Sequence, residues 1–205
     1  MDKIFKNLGA SNHADHDREE NDFYATDPIA IDCLLKKEVL EHNLWEPACG
    51  KNQLVNRLEQ YGYNVRRSDL IKRIDDPKLE VLDFLSPNNN KIFNGDIITN
   101  PPYKCSLEFV KKALSLIPEG NKVCMFLKLL WLESSQRYDE LFKNNPPKRI
   151  YVFSKRIKCA INGEFDKVEG SAIAYAWFVF VKGNKNLPVV DWINTNEDLN
   201  KNKLF

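Results

Sequence analysis

Five consecutive apolar residues, Val123-Cys124-Met125-Phe126-Leu127, lie within the stretch Lys122 to Leu129 and limit the fold more than any other feature. A strand that is apolar on both faces must be covered on both faces, which is the position of a buried strand in a parallel-rich sheet. Around it the chain alternates short apolar runs with helical periodicity. Pro28 to Leu40 reads as a helix, with Asp27 as N-cap, Pro28 at the first position and Ile31, Leu34, Leu35 and Val39 on one face. A short strand over Leu44 to Pro47 leads into a helix from Asn52 to Tyr61, which turns Leu54, Val55 and Leu58 inward and stops at Gly62. Strands follow at Tyr63 to Ser68, Val81 to Phe84 and Asp96 to Thr99, with a helix from Ser106 to Ile117. Beyond the central run come a helix over Ser134 to Lys143 and strands at Arg149 to Phe153 and Ala172 to Val181. The reading is an α/β fold, Rossmann-like, with a seven-stranded, mostly parallel sheet and helices on both faces.

The chain has 205 residues, enough for one such domain. The expected division is a polar leader over 1–21, the domain over 22–185 and a tail over 186–205. No apolar run is long enough for a membrane span, and the leader lacks the apolar block of a signal peptide, so a cytoplasmic location is expected. Five cysteines without a CxxC pair, Cys33, Cys49, Cys105, Cys124 and Cys159, point to reduced thiols rather than a zinc site or a disulfide framework. His13 and His16 lie with Asp15 and Asp17 in the polar leader and read as solvated, so no metal is expected. Charge is unevenly spread. Residues 1–99 hold 13 Lys/Arg against 18 Asp/Glu, whereas residues 100–185 hold 15 against 8. A polyanion beside the second half would account for the difference, as would an ordinary solvated surface.

The chemistry concentrates in Asn100-Pro101-Pro102-Tyr103. Two prolines stiffen the turn, and the residue before a proline is pushed to extended geometry, which suits Asn100 as the end of a strand. The carboxyl end of a strand is where an open α/β sheet binds its ligand. An amide oxygen and a stackable ring are presented there to a flat substrate carrying an NH2 group. Asn145-Pro146-Pro147-Lys148 has no aromatic and reads as a plain turn.

Upstream, Glu46-Pro47-Ala48-Cys49-Gly50 forms a tight turn between strand and helix, and Asp69 follows nineteen residues past Gly50. This is the layout for an adenosine-bearing cofactor, with the acid placed for ribose hydroxyls and glycine allowing close approach. No GxGxxG is present, which disfavours a pyrophosphate. A cofactor with an amino acid at one end fits better, with Glu46 near its ammonium.

Taken in order, these residues resemble the S-adenosylmethionine-dependent methyltransferases that act on the exocyclic amine of adenine in DNA, in the gamma motif order and in a compact, phage-like form. Glu46 to Gly50 is similar to the family's first motif, Asp69 to its second and Asp83-Phe84 to its third, which contacts the cofactor's adenine. Asn100 to Tyr103 matches the catalytic motif without change. Phe23-Tyr24-Ala25-Thr26-Asp27-Pro28 resembles the segment that holds the methionine end of the cofactor. The resemblance spans roughly Asp22 to Lys182. It implies the class I methyltransferase fold and S-adenosylmethionine as cofactor, with Tyr24, Thr26, Glu46, Pro47, Ala48, Gly50, Asp69, Asp83 and Phe84 holding it. It also implies a nucleic-acid substrate, double-stranded DNA, with a second copy of the chain or a recognition subunit as a further partner. Two departures stand out. The usual Ser-Gly after Gly50 is Lys51-Asn52, and 205 residues leave no room for a separate target-recognition domain. Asn tolerates left-handed backbone better than most residues, so the turn is expected to survive.

Asn100 and Pro101 are expected to accept the two N–H bonds of the target amine, and Tyr103 to stack on a flipped base. Lys104, Trp131, Lys155, Arg156 and Lys158 are the candidates for substrate contact, the last three within the basic stretch Ser154 to Gly170. Cytosine-C5 chemistry is disfavoured because no Pro-Cys occurs; Cys49 and Cys105 read as packing residues. The same four residues would serve an adenine in RNA or a glutamine amide in protein, and a non-catalytic cofactor-binding module is the reading from a different class.

Overall fold

The computed structural model describes residues 24–161 and 173–195. The leader expected over 1–21 lies outside the described residues, as does 162–170, the second half of the basic stretch. In chain order the strands are β1 (Tyr24–Thr26), β2 (Asn43–Glu46), β3 (Asn64–Asp69), β4 (Leu79–Val81), β5 (Asp96–Thr99), β6 (Lys122–Lys128), β7 (Arg149–Phe153), β8 (Cys159–Ile161), β9 (Tyr175–Val181) and β10 (Val189–Ile193). The helices are α1 (Ile29–Leu35), α2 (Gln53–Gln60), α3 (Ser106–Leu116) and the short α4 (Ser135–Arg137).

Eight strands form the main sheet in the order β10-β7-β9-β6-β5-β2-β3-β4, with β9 antiparallel to both its neighbours and every other pair parallel. A separate antiparallel ribbon joins β1 to β8. The chain order reverses between β2 and β5, which neighbour each other although β3 and β4 follow β2 on the opposite side. That is a topological switch point, where such sheets open a crevice at the strands' carboxyl ends.

Alternation of side chains along buried strands feeds two apolar layers. On β6, Val123, Met125 and Leu127 face the layer under α3, while Cys124 and Phe126 face the layer under α1 and α2. On β9, Trp177 and Val179 go one way and Ala176, Phe178 and Phe180 the other. Each large side chain so buried contributes roughly 1.5–3 kcal/mol. Trp177 is fully buried and donates its indole N–H to the Ala30 carbonyl at 2.9 Å, tying α1 to the sheet.

The structure departs from the sequence reading at several ends. The helix expected to reach Leu40 stops at Leu35, because Glu38 turns inward to meet Lys122 and Arg149. The strand expected over Val81 to Phe84 is β4, ending at Val81, and Phe84 lies past it. The helix expected over Ser134 to Lys143 is α4 followed by a wide π turn, Tyr138–Phe142, which brings Leu141 and Phe142 into the apolar layer around Trp131. The sheet gains an eighth strand, β10, from residues assigned to the tail. Its edge position leaves Val189, Val190 and Trp192 largely exposed, so it carries no buried-strand signature. The helix begins one residue later than expected, with Pro28 rather than Asp27 in the cap position, but the Asp27 carboxylate still accepts the Ile29 N–H at 3.0 Å.

Candidate active site

Asn100 follows the last residue of β5, and Glu46 is the last residue of β2, so both stand at the switch point. Pro101 is buried and Pro102 is exposed, with φ −56° and ψ 126°. The turn then tightens into a 3-10 turn, Tyr103–Cys105, that runs into α3. Ser106 locks this junction: its hydroxyl donates to the Tyr103 carbonyl at 3.0 Å and accepts the Trp131 indole N–H at 2.8 Å. The Tyr103 hydroxyl donates to that of Tyr175 at 3.2 Å, and the Lys128 ammonium sits 4.5 Å from the Tyr103 ring centroid. The ring is therefore held at its tip and across its plane.

Glu46 is 1 % exposed, and burial pushes its carboxyl up to about 8, with the Asp69 carboxylate adding to the rise. One of its oxygens accepts a long bond from the Ala48 N–H, 3.4 Å. Among the described residues, its other oxygen and the hydroxyls of Thr26 and Thr99 are buried without a well-aligned hydrogen bond, although Thr99 sits against the Glu46 carboxyl and works against the rise, and Thr26 sits against the Cys159 thiol. Buried polar atoms are nearly always well satisfied, so this loosely partnered cluster keeps hydrogen-bonding capacity that a packed core would not leave. Glu46 and Thr26 line a cavity of about 20 Å³, with Ala48, Cys49, Gln53 and Asn100 among its other walls. That volume holds about one water.

The turn after β2 keeps the shape its glycine implies. Gly50 has φ 56°, and Asn52 takes the left-handed conformation at φ 64°, ψ 22°, as expected for Asn in place of glycine. Asn52 is buried; its amide donates to Asp76 at 2.7 Å, and Asp76 also accepts from Arg67 at 3.1 Å. Asp69, at the end of β3, accepts the Gly50 N–H at 2.8 Å on one oxygen and the Ile71 N–H at 3.0 Å on the other. A carboxylate has about four acceptor sites, so capacity for a ligand's hydroxyls remains. Cys49 is buried, and its thiol is pushed far up by burial and by Glu46 and Asp69, which removes it as a nucleophile. Burial raises Cys105 as well.

The candidates do not all come together. Thr26, Glu46, Ala48, Gly50, Asp69 and Asn100 converge, with Pro47 buried beneath the turn. Tyr24 pairs with Ile161 in the β1–β8 ribbon through its backbone. Two of the aromatic candidates are largely buried. Phe84 is 2 % exposed and packs between Trp45 and Phe109, with centroids at 5.2 and 4.9 Å, so its ring belongs to the core rather than to an open cofactor face. Trp131 is likewise buried against Phe142 and Phe178, with its N–H taken, and serves as floor rather than free-standing wall. Asp83 and Lys104 are exposed; Asp83 accepts the Leu85 N–H in a local turn. Lys155, Arg156 and Lys158 are exposed on the loop between β7 and β8, and the Lys158 carbonyl accepts the Asp27 N–H at 3.2 Å. Sequence reasoning missed Thr99, Lys128 and Tyr175. Thr99 adjoins Asn100, and Lys128 closes the apolar run, so both had a positional signal; Tyr175 lies 72 residues from Tyr103 and had none.

The chain matches no protein-family model. Over 85 residues it is 32% identical to a dCTP deaminase of a Nitratiruptor species, covering 38% of this chain and 46% of that protein. Among solved structures it is similar to a Listeria monocytogenes protein described as a class I S-adenosylmethionine-dependent methyltransferase, with a TM-score of 0.55 and 13% identity over 82% of this chain and 65% of that one. It is similar also to the methyltransferase subunit of a type I restriction-modification system from Streptococcus thermophilus, with a TM-score of 0.59 and 11% identity over 86% of this chain and 48% of that one. The chain spans less than two thirds of the length of each of these proteins. At such identities the structural likeness is one of fold, and the fold is that of the class I methyltransferases, with Glu46 and Asn100 side by side at its switch point.

Proposed function

We propose that this protein is a methyltransferase that uses S-adenosylmethionine to methylate the exocyclic N6 of adenine in DNA. The observation that carries the reading is the shared cavity wall of Glu46 and Asn100 at the switch point, with Tyr103 held three residues on.

The residues fit the cofactor's chemistry. Glu46 offers a carboxylate to an ammonium, the Thr26 and Thr99 hydroxyls offer hydrogen-bonding capacity beside it, and Asp69 beyond Gly50 offers oxygens to ribose hydroxyls. Ala25 and Thr26 belong to the β1–β8 ribbon and line the small cavity, so loading a molecule of that size requires the ribbon to shift. When bound, S-adenosylmethionine supplies an electrophilic methyl group.

The target amine is a weak nucleophile because its lone pair is delocalised into the purine. The Asn100 side-chain oxygen and the Pro101 carbonyl accept its two N–H bonds and draw the nitrogen toward tetrahedral geometry, freeing the lone pair. The stiff Pro-Pro turn keeps these acceptors in place, so positioning supplies most of the rate. Tyr103 stacks on the base, and stacking worth ~1–3 kcal/mol recovers much of the cost of flipping it out of a duplex. No side chain with a tuned pKa is needed to take the proton before attack.

The test is transfer of a labelled methyl group onto unmethylated duplex DNA, structured RNA and protein extract, with modified nucleosides identified by mass spectrometry. N6-methyladenine in DNA is the expected product. Label in RNA or on glutamine would move the substrate class, and cofactor binding without transfer to any of the three would sink the enzymatic reading.

A further inference from the structure

Bordering Tyr103 of the catalytic turn lies a second and larger concavity of about 400 Å³, lined by Tyr103, Lys128, Leu130, Trp131, Glu133 and Arg137, none of which lines the small cavity. Its volume is in the range of sites for small organic ligands. Tyr103 borders this groove while Asn100 borders the small cavity. We propose that the groove seats the sugar–phosphate backbone of the substrate strand next to the target base, with Lys128 and Arg137 binding its phosphates. The inference rests on the nucleic-acid reading given above.

Four observations carry it. First, the two cations are placed differently from ordinary surface charges. Arg137 is held rigid, its Nε donating to the Trp131 carbonyl at 2.6 Å and an Nη to the Glu133 carbonyl at 2.8 Å. Its guanidinium carbon lies 5.1 Å from the Trp131 ring. A guanidinium fixed in this way loses little freedom on meeting an anion. Second, Lys128 is half-buried at the carboxyl end of β6, and its ammonium covers the ring on which a base would stack. A base arriving at Tyr103 displaces that ammonium, which is then available to the phosphate of the arriving nucleotide. Third, Leu130 is 71% exposed on the groove, an apolar surface suited to a sugar or a flanking base. Fourth, the groove belongs to the basic portion of the chain, where residues 100–185 carry 15 Lys/Arg against 8 Asp/Glu. Among the described residues, Glu133 is the one acid on the lining, and its exposed carboxylate opposes a polyanion.

The opposing signs make the test discriminating. Steady-state methylation of a short unmethylated duplex oligonucleotide is measured across a salt series for the wild type, Lys128→Met, Lys128→Arg, Arg137→Gln and Glu133→Gln, alongside cofactor affinity by calorimetry. Lys128→Met is expected to raise KM for the oligonucleotide about tenfold with kcat within about twofold, and to reduce the slope of log KM against log salt by about 1. Lys128→Arg keeps the charge and should stay near wild type, while Glu133→Gln should lower KM about threefold. Arg137→Gln should behave as Lys128→Met does. Because Arg137 also braces the loop, the Lys128 pair decides the matter if that variant fails to fold. Wild-type KM and salt slope in a Lys128→Met protein with normal cofactor affinity would overturn the groove assignment alone. A wild type that methylates no nucleic acid would remove the functional reading, and the groove assignment with it.

Discussion

The two ends of the sheet treat buried charge in opposite ways. At the amino-terminal edge, Glu38 is 4% exposed and receives Lys122, Arg149 and the Tyr151 hydroxyl, at 2.8, 2.9 and 2.8 Å. Asp96, at the start of β5, accepts the Glu41 and Lys122 amides at 2.8 and 2.7 Å. At the carboxyl edge, Glu46 is just as deeply buried but has one long bond, from the Ala48 N–H, and a poorly aligned contact with the Thr99 hydroxyl. Burial alone therefore does not mark function. For these two glutamates the complement of partners makes the difference: Glu38, fully bonded, braces the strands, and Glu46, loosely bonded, has acceptor capacity left over.

The comparison can be broken by mutation, and the largest effect should come from the brace. Glu38→Ala leaves two cations and a phenol without their acceptor, and unfolding by denaturant should show a loss of ~3–5 kcal/mol. Glu46→Ala should cost far less in the same measurement, and equal costs would break the comparison. Next is Asn100→Ala, expected to lower methyl transfer on the order of 10²-fold or more, in the range seen when a single transition-state hydrogen bond is removed. Its cofactor affinity, read by calorimetry, should stay within about twofold.

Glu46 yields a pH test. Its carboxyl sits at about 8 in the folded state, against an ordinary value of 4.5. Between those values the folded state holds the extra proton, so the group's contribution to stability falls as pH rises through that window. Denaturant midpoints of the wild type and Glu46→Gln, compared from pH 5 to pH 8, should diverge, with the glutamine variant gaining relative stability toward the top of the range. Cofactor affinity should move the other way in the wild type, rising with pH as the carboxylate forms. In Glu46→Gln that rise should be lost, with affinity lower by about tenfold near pH 8.

The smallest effect sharpens the reading of the turn. Asn52 already occupies left-handed backbone, so replacing Lys51-Asn52 by Ser-Gly should alter stability by less than about 1 kcal/mol. Cofactor affinity should change by less than about threefold. A larger loss would show that the Asn52 bond to Asp76, rather than the backbone shape, holds the site.

Much of the fold and part of the site could be read from local signals. The apolar run at Val123 to Leu127 needed cover on both sides, and its alternate residues do enter two different layers. Asn100, Gly50 and Asp69 were legible because their placement depends on short-range geometry: a double proline, a glycine turn and a strand end. Phe84 and Trp131 were read as ligand-facing; packing took the Phe84 ring into the core against Trp45, while Trp131, buried against Phe178, still lines the groove beside Tyr103. The eighth strand escaped notice because an edge strand needs only one apolar flank and its residues look like those of a loop.

What the sequence determined by itself is the alternation of elements and the chemical identity of the switch-point residues, both consequences of periodicity and backbone restriction over a few residues. Only the tertiary structure decided how each buried carboxylate is partnered, that Lys128 lies over Tyr103, and that Asn100 borders a small cavity while Tyr103 borders a broad groove. Those facts depend on side chains brought together from distant strands, and no local pattern encodes a contact whose partner is fixed by the packing of the whole sheet.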